Sequence, residues 1–524
     1  MVDQYSVYSR KHDEYIPKDE LPSSKGVLYS VSQHVPSVNT NFGSLCEGVF
    51  ASFGSDWESE RARIMSGTNA VDEGNADERG NDVQNAESNS IPAAAALVHV
   101  AVGDAHTNAS VIPTCVYLMS RVALHMDIED TASATTDVIC QAIVNCDELG
   151  LNRQLAPQIF TLWMCSPLLE LQLKPTHKPY DIKQCWRSLL EQYSHGTLNQ
   201  KQRDEPVISF QRNIFFSQTV EEKIKDQKII ELLYEEAKYN ILEGRYPCET
   251  AHYIMLGGIQ ARLELGPYNP QVHSTHYFRE EQAKYLPVHV RKSSTWTWLP
   301  ISSKNSAEVR LLEQFKRIPT SATNRKLMRK YIEFCWSLPY YGAAFFEGQI
   351  EQPVRGLTSL MTHQDIPVLV AVNARGVYVI DEIQCTLLLG LQYEELSWDH
   401  AKPSKEDDPN CLPCIFLQFV VLENGARVSK ILQVFSKQAT LMDKVIAGYV
   451  HQMKKKSTTD ETDRSNEHHS VGNGDVHMPI TVGPQGHSTT PVTCLSNKLS
   501  RLTLATFDED GRCIGQMGSW SFGY

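Results

Sequence analysis

Apolar residues are unevenly distributed along the chain. From Met1 to about Ile91 they occur as short aromatic fragments among polar and acidic runs, ending in "NAVDEGNADERGNDVQNAESNS", which has neither helical nor strand period. Such a stretch cannot offset the entropy of ordering, so residues 1–92 are expected to be a disordered arm. A second polar stretch, "KKKSTTDETDRSNEHHSVGNGDVHMPITVGPQGHSTTP", begins at Lys454, and residues 455–524 are expected to form a disordered tail. A folded body of about residues 93–454 lies between them.

Within the body the period changes twice. In the first unit, residues 93–215, "ALVHVAV" reads as a strand and "ASVIPTCVYL" as its hairpin partner. "TTDVICQAIVNCDELG" places Val138, Ile139, Ala142, Ile143 and Leu149 near helical spacing and stops at Gly150. "QIFTLWMCSPLLELQLKP" gives two more strands, broken at Ser166-Pro167. Two strands, a helix and two strands suggest an α+β unit of ubiquitin-like type.

The second unit, residues 216–338, is helical. Ile229, Ile230, Leu233, Ala237, Ile241 and Leu242 recur at three- and four-residue steps before Gly244 and Pro247. A helix starting with Thr250 as its N-cap ends at Gly266-Pro267, and "TNRKLMRKYIEFCWSLP" ends at Pro339.

In the third unit, residues 339–454, "PVLVAVNARGVYVID" is a hairpin around Asn373-Ala374-Arg375-Gly376. "CTLLLGLQYEELSWDH", "CIFLQFVV" and "KILQVFS" continue the strands, and "ATLMDKVIAGYVHQM" is an amphipathic helix. Many antiparallel strands closed by one helix are the pattern of a PH/PTB-like sandwich. Between the last two units, "LPYYGAAFFEGQI" is expected to be a joint, with Leu338-Pro339 stopping a helix, Gly342 turning, and Phe345 and Phe346 entering a strand.

Composition narrows the function classes. A formal charge of -13 disfavours nucleic acid as a partner. No run reaches the roughly 18 apolar residues of a membrane helix, and the N-terminus lacks a signal-peptide core, so a soluble, unsecreted chain is expected. The 13 cysteines are scattered singly, as suits reduced thiols. No phosphate-binding loop, zinc-protease or serine-hydrolase motif occurs, so neither an enzyme nor a cofactor is expected. "CLPC", Cys411 to Cys414, lacks a second ligand pair and reads as a loop entering a strand, and His468-His469 lies in a polar tail; no metal is expected.

An α+β unit, a helical unit and a strand-rich unit with a terminal helix resemble, in that order, the three lobes of the FERM module. "LPYYGAAFFEG" resembles the passage from the second to the third FERM lobe, and "KYLP", Lys284 to Pro287, the leucine-proline stop of the helical lobe. "LWMCSPLLELQLKPTHKPY", "FQRNIFF", "LLYEEAKYNILEGRYPC", "LGPYNP" and "LLGLQYEELSWDH" resemble one small subgroup of the family. The resemblance implies a ubiquitin-like first lobe, an acyl-CoA-binding-protein-like second lobe and a PH/PTB-like third. It also implies a non-enzymatic adaptor at the inner face of the plasma membrane or of secretory-pathway membranes. The partners it implies are cytoplasmic tails of transmembrane proteins: inactive rhomboids with their sheddase complex, and a Wnt coreceptor of the LDL-receptor type.

By the same resemblance, an extended peptide would add to an edge strand of the third lobe beside its terminal helix. Strand order puts that edge at Ser397, Trp398, Asp399 and His400, with Met442, Ile446 and Tyr449 on the helix. Trp398 and His400 share one face of an extended segment. The alternative for Trp398 is the sandwich core. Lys454, Lys455 and Lys456 are a weak candidate for phosphoinositide, and otherwise a solvated helix end. In the tail, Leu495, Leu499, Leu502 and Leu504 stand near helical spacing, so residues 494–507 either dock on the lobes or stay unstructured. A membrane-cytoskeleton linker that binds phosphoinositide directly is the competing class.

Overall fold

The computed structural model describes residues 97–102, 111–120, 122–295, 306–351, 365–403, 405, 408, 411–462 and 502–516. The arm at 1–92 lies outside them, as does most of the tail.

Lobe 1 carries a six-stranded sheet. Its strands are β1 (Leu97–Val102), β2 (Thr114–Leu118), β3 (Ala123–Ile128), β4 (Phe160–Ser166), β5 (Leu169–Gln172) and β6 (Val207–Arg212), in spatial order β1-β3-β2-β6-β4-β5. The hairpin is β2 with β3, not β1 with β2: Val116 faces Leu124, while β1 runs parallel to β3. The short turn after Leu118, closed by its N–H on Val122 O at 2.9 Å, folds β2 straight back onto β3. Helix α1 (Thr136–Asn145) is capped by the Thr135 side chain, and the turn after it ends at Gly150 in left-handed conformation, φ 58°. β4 is buried along its whole length beneath this helix.

Lobe 2 is built on α2 (Gln227–Leu242), α3 (Thr250–Leu265), α4 (Ala307–Arg317) and α5 (Asn324–Ser337). Thr250 is the first helical residue rather than the cap. Glu249 holds the cap position, its carbonyl accepting from His252 and Tyr253 N–H. Ala307, Leu311, Leu312 and Phe315 form the buried stripe of α4. α4 crosses α3 so closely that a Cβ on Gly258 would lie 2.9 Å from Gln314 Cβ.

Lobe 3 contains β7 (Ala344–Ile350), β8 (Ile366–Asn373), β9 (Gly376–Asp381), β10 (Thr386–Gln392), β11 (Ser397–Ala401), β12 (Cys414–Glu423) and β13 (Ala426–Phe435), in order β10-β9-β8-β7-β13-β12-β11. β8 and β9 turn through Ala374-Arg375 with Asn373 facing Gly376. Helix α6 (Ala439–Thr462) buries Ala439, Leu441, Met442, Val445, Ile446 and Tyr449. It continues well past Met453, so Lys454–Lys456 lie within the helix and not at its end. Lysine and the acids after it sustain a helix that packing has already nucleated.

The tail departs most from expectation. Leu504–Phe507 is strand β14 and Cys513–Gln516 is β15, a hairpin paired antiparallel to β13. The described part of the 494–507 segment is therefore docked on lobe 3, and it is extended rather than helical. Direct pairing of Leu504 with Leu432 and Ala505 with Ile431 satisfies backbone groups on β13 that a helix could not reach.

The three lobes meet at a buried polar node. Arg212, at the end of β6, pairs with Glu221 at 2.6 Å, both side chains almost wholly buried. Glu221 also accepts from Trp336 Nε1 at 2.7 Å and from Tyr341 OH at 2.6 Å. Arg212 donates to Phe216 O, Asn213 O and Gly342 O. Gly342, φ 65°, gives its N–H to Tyr246 OH, and a Cβ there would lie 2.6 Å from Arg212 Nη1. Tyr340, Tyr341 and Phe346 are buried, while half-buried Phe345 lies beneath the Arg245 guanidinium. The aromatic segment is thus an interlobe joint.

Candidate functional site

β11 is the last strand of its sheet. It is hydrogen-bonded to β12 in the register Ser397 with Gln418 through Ala401 with Cys414, and among the described residues no strand pairs with its other side. Helix α6 packs against it. Alternation puts Trp398 and His400 on one face, and both meet Asp443 of α6. Trp398 Nε1 donates to Asp443 Oδ1 at 2.9 Å, and His400 Nδ1 lies 3.6 Å from Asp443 Oδ2.

The surface left along this edge is narrower than the seven residues read from sequence. Trp398 is 1% exposed and belongs to the core, its indole too large to leave in water and its one polar atom satisfied by Asp443. Ser397 is also buried, as are Met442 and Ile446, which fill the space between helix and sheets. Tyr449 serves another contact. Its hydroxyl donates to Ile214 O at 2.8 Å and its ring lies 4.9 Å from Phe215, so it joins lobe 3 to lobe 1. Asp399, His400 and Ala401 remain half-exposed, with Asp443 of α6 against His400.

Asp443 had no sequence signal of its own, since it sits one turn into a helix whose facing strand is 45 residues away. A second group was likewise invisible. The charge of Lys444 on α6 acts on Lys174 of lobe 1, and that of Lys437 acts on Lys201, where Glu191 opposes it. Burial, then the neighbouring ammonium, lowers the pKa of Lys174 and of Lys201. Lys454, by contrast, is simply exposed on α6.

Cys414 opens β12, and burial pushes its thiol up to about 11. Among the described residues no group of three or more His, Cys, Asp or Glu is arranged to hold a metal ion, and no helix is long and apolar enough to cross a membrane.

Residues 219–346 match the FERM central domain, and residues 366–445 match the KRIT1/FRMD8 FERM domain C-lobe. FERM domain-containing protein 8 of Mus musculus is 32% identical over 411 residues, covering 76% of this chain and 85% of its own length. The Xenopus tropicalis protein of that name is 36% identical over 341 residues, 63% of this chain and 74% of its own. This chain belongs to the FERM family, within the FERM domain-containing protein 8 group. Among solved structures, the human Myosin 7b C-terminal MyTH4-FERM domain overlaps 66% of this chain and 60% of its own, at 16% identity and a TM-score of 0.44, too loosely to bear on function. The FERM family is one of protein-binding, typically non-catalytic adaptors. Its central-domain match ends at Phe346, inside the joint, and its C-lobe match spans Ile366 to Val445.

Proposed function

We propose that this FERM protein is a non-enzymatic cytosolic adaptor that captures cytoplasmic tails of membrane proteins on the β11 edge of lobe 3. The observation that carries it is the position of β11: it terminates the sheet, and α6 stands beside it as the second wall of a groove. An extended tail would pair with the strand through backbone hydrogen bonds, while Asp399, His400 and the polar face of α6 select its side chains. Likeness to the FERM domain-containing protein 8 group favours, as tail donors, inactive rhomboids with their sheddase complex and a Wnt coreceptor of the LDL-receptor type. Binding there would hold the protein at the inner face of plasma or secretory-pathway membranes and stabilise or regulate those partners.

The test uses recombinant cytoplasmic regions of these two classes and full-length protein carrying His400→Ala, at a half-exposed position of β11. A loss of affinity of tenfold or more, with an unchanged melting temperature, supports the groove; unchanged affinity refutes it.

A second reading has its own observation. The lysine pairs across the boundary of lobes 1 and 3 concentrate positive charge in an otherwise acidic chain, and such a site suits an anionic headgroup. It joins Lys454–Lys456 as a place where a direct phosphoinositide-binding linker would act. Liposome pelleting with and without phosphoinositide, on wild type and on Lys174→Glu, separates it from the adaptor reading.

A further inference from the structure

The C-terminal hairpin occupies the side of β13 that β7 leaves uncovered, since among the described residues β7 pairs with β13 at Phe435 with Gln349 alone. β14 pairs there from Ser429 with Phe507 to Leu432 with Leu504. Its side chains serve both faces of the sheet. Leu502 and Leu504 enter the main core, while Ala505 and Phe507 form a small separate cluster with Ile431 and Phe416 on the outer face. Polar contacts hold the ends: Thr503 Oγ1 donates to Glu351 O at 2.9 Å, Arg427 N–H to Glu509 Oε1 at 3.2 Å, and Lys430 Nζ to Thr506 Oγ1 at 3.4 Å.

We propose that the β13 edge is a second strand-accepting site of lobe 3 whose resident ligand is the chain's own residues 502–516, held as an exchangeable strand. It lies across the sheet from β11, so the lobe can hold its tail and a partner segment together, and this inference does not depend on the β11 reading. Three features distinguish the hairpin from an integral strand. Thirty-nine residues of sequence separate Thr462 from Leu502, so the hairpin is joined to the lobe through a long covalent connection. A covalent connection makes docking intramolecular, so a strand that binds weakly on its own can stay docked. Among the described residues the pairing with β13 covers four residues, and β15 pairs with β14 alone. Finally, the sandwich closes without it, through β7 with β13 and through α6.

The experiment keeps the whole chain and introduces a protease site near residue 480. Uncut protein should ignore a labelled peptide of residues 502–516, because the tethered copy holds the edge. After cleavage the tail fragment should leave on dilution and the peptide should enter with one-to-one stoichiometry. A peptide carrying Leu504→Asp and Phe507→Asp should bind at least tenfold more weakly. Hydrogen exchange should show β13 losing protection on release while β8 and β9 keep theirs. A fragment that stays bound through dilution, a collapse of protection throughout lobe 3, or equal peptide uptake before and after cleavage would each overturn the proposal.

Discussion

Asp443 on α6 receives the indole N–H of Trp398 on β11 at 2.9 Å, tying the terminal helix to the last strand of the sheet. The contact fixes the separation of strand and helix, and it places a structural residue in the middle of the candidate binding edge. Asp443→Asn retains an acceptor and should cost little. Asp443→Ala leaves a buried N–H unpaired and should lower stability by about 1 to 3 kcal/mol. Chemical denaturation of the two variants checks this, and equal destabilisation would show that the bond contributes nothing.

Trp398→Ala should lower stability by about 3 to 5 kcal/mol through the cavity it leaves. His400→Ala, at a half-exposed position, should remain within about 0.5 kcal/mol of wild type. Any loss of binding in the tryptophan variant therefore reports on folding, and the histidine variant is the informative one. Melting curves measured before any binding assay separate the two.

The Arg212–Glu221 pair should be the most sensitive polar contact between the lobes. Removing one partner strands a buried charge, so Arg212→Ala should lower stability by about 3 to 5 kcal/mol. Gly342→Ala should act at the same place, because its Cβ meets the Arg212 guanidinium and its φ of 65° disfavours any side chain. Limited proteolysis should show cleavage between lobes in both variants. Intact lobe packing in Gly342→Ala would contradict the proposed close approach.

Stability should also depend on pH through Glu347. Burial, then the charges of Glu382 and Glu170, push its carboxyl up to about 7, against the opposing pull of Arg245. Below about pH 4.5, the ordinary value, the group is protonated folded or unfolded and carries no penalty. Between there and about pH 7 only the unfolded chain ionises, so this group lowers stability as pH rises, and above that range the loss is constant. Glu347→Gln should match wild type at pH 4.5 and melt higher at pH 7.5. Parallel melting profiles across that range would rule this out.

Much of this architecture was legible because burial is periodic. The stripe Ile229, Ile230, Leu233, Ala237 and Ile241 and the hairpin at Asn373–Gly376 each state their element locally. Pairing was less visible. "ALVHVAV" reads as a strand, but nothing in it says that it will lie parallel to β3. Leu499, Leu502 and Leu504 fit a helical period by spacing alone, and only the uncovered side of β13 makes the last of them a strand. α4 was missed although Ala307, Leu311 and Phe315 have clear helical spacing. Strand order pointed to β11, which is the last strand of its sheet, but one residue's burial cannot be read from its type. Trp398 and Tyr449 went inward because each found a buried partner for its polar atom, Asp443 in one case and Ile214 O in the other.

Hydrogen exchange of the full-length protein, alone and with the cytoplasmic region of an inactive rhomboid, tests the central claim most directly. Capture on the lobe 3 edge should slow exchange at residues 397–401 and along the facing side of α6, and leave lobe 2 unchanged. Protection confined to the boundary of lobes 1 and 3 around Lys174 and Lys201, with none at β11, would contradict it.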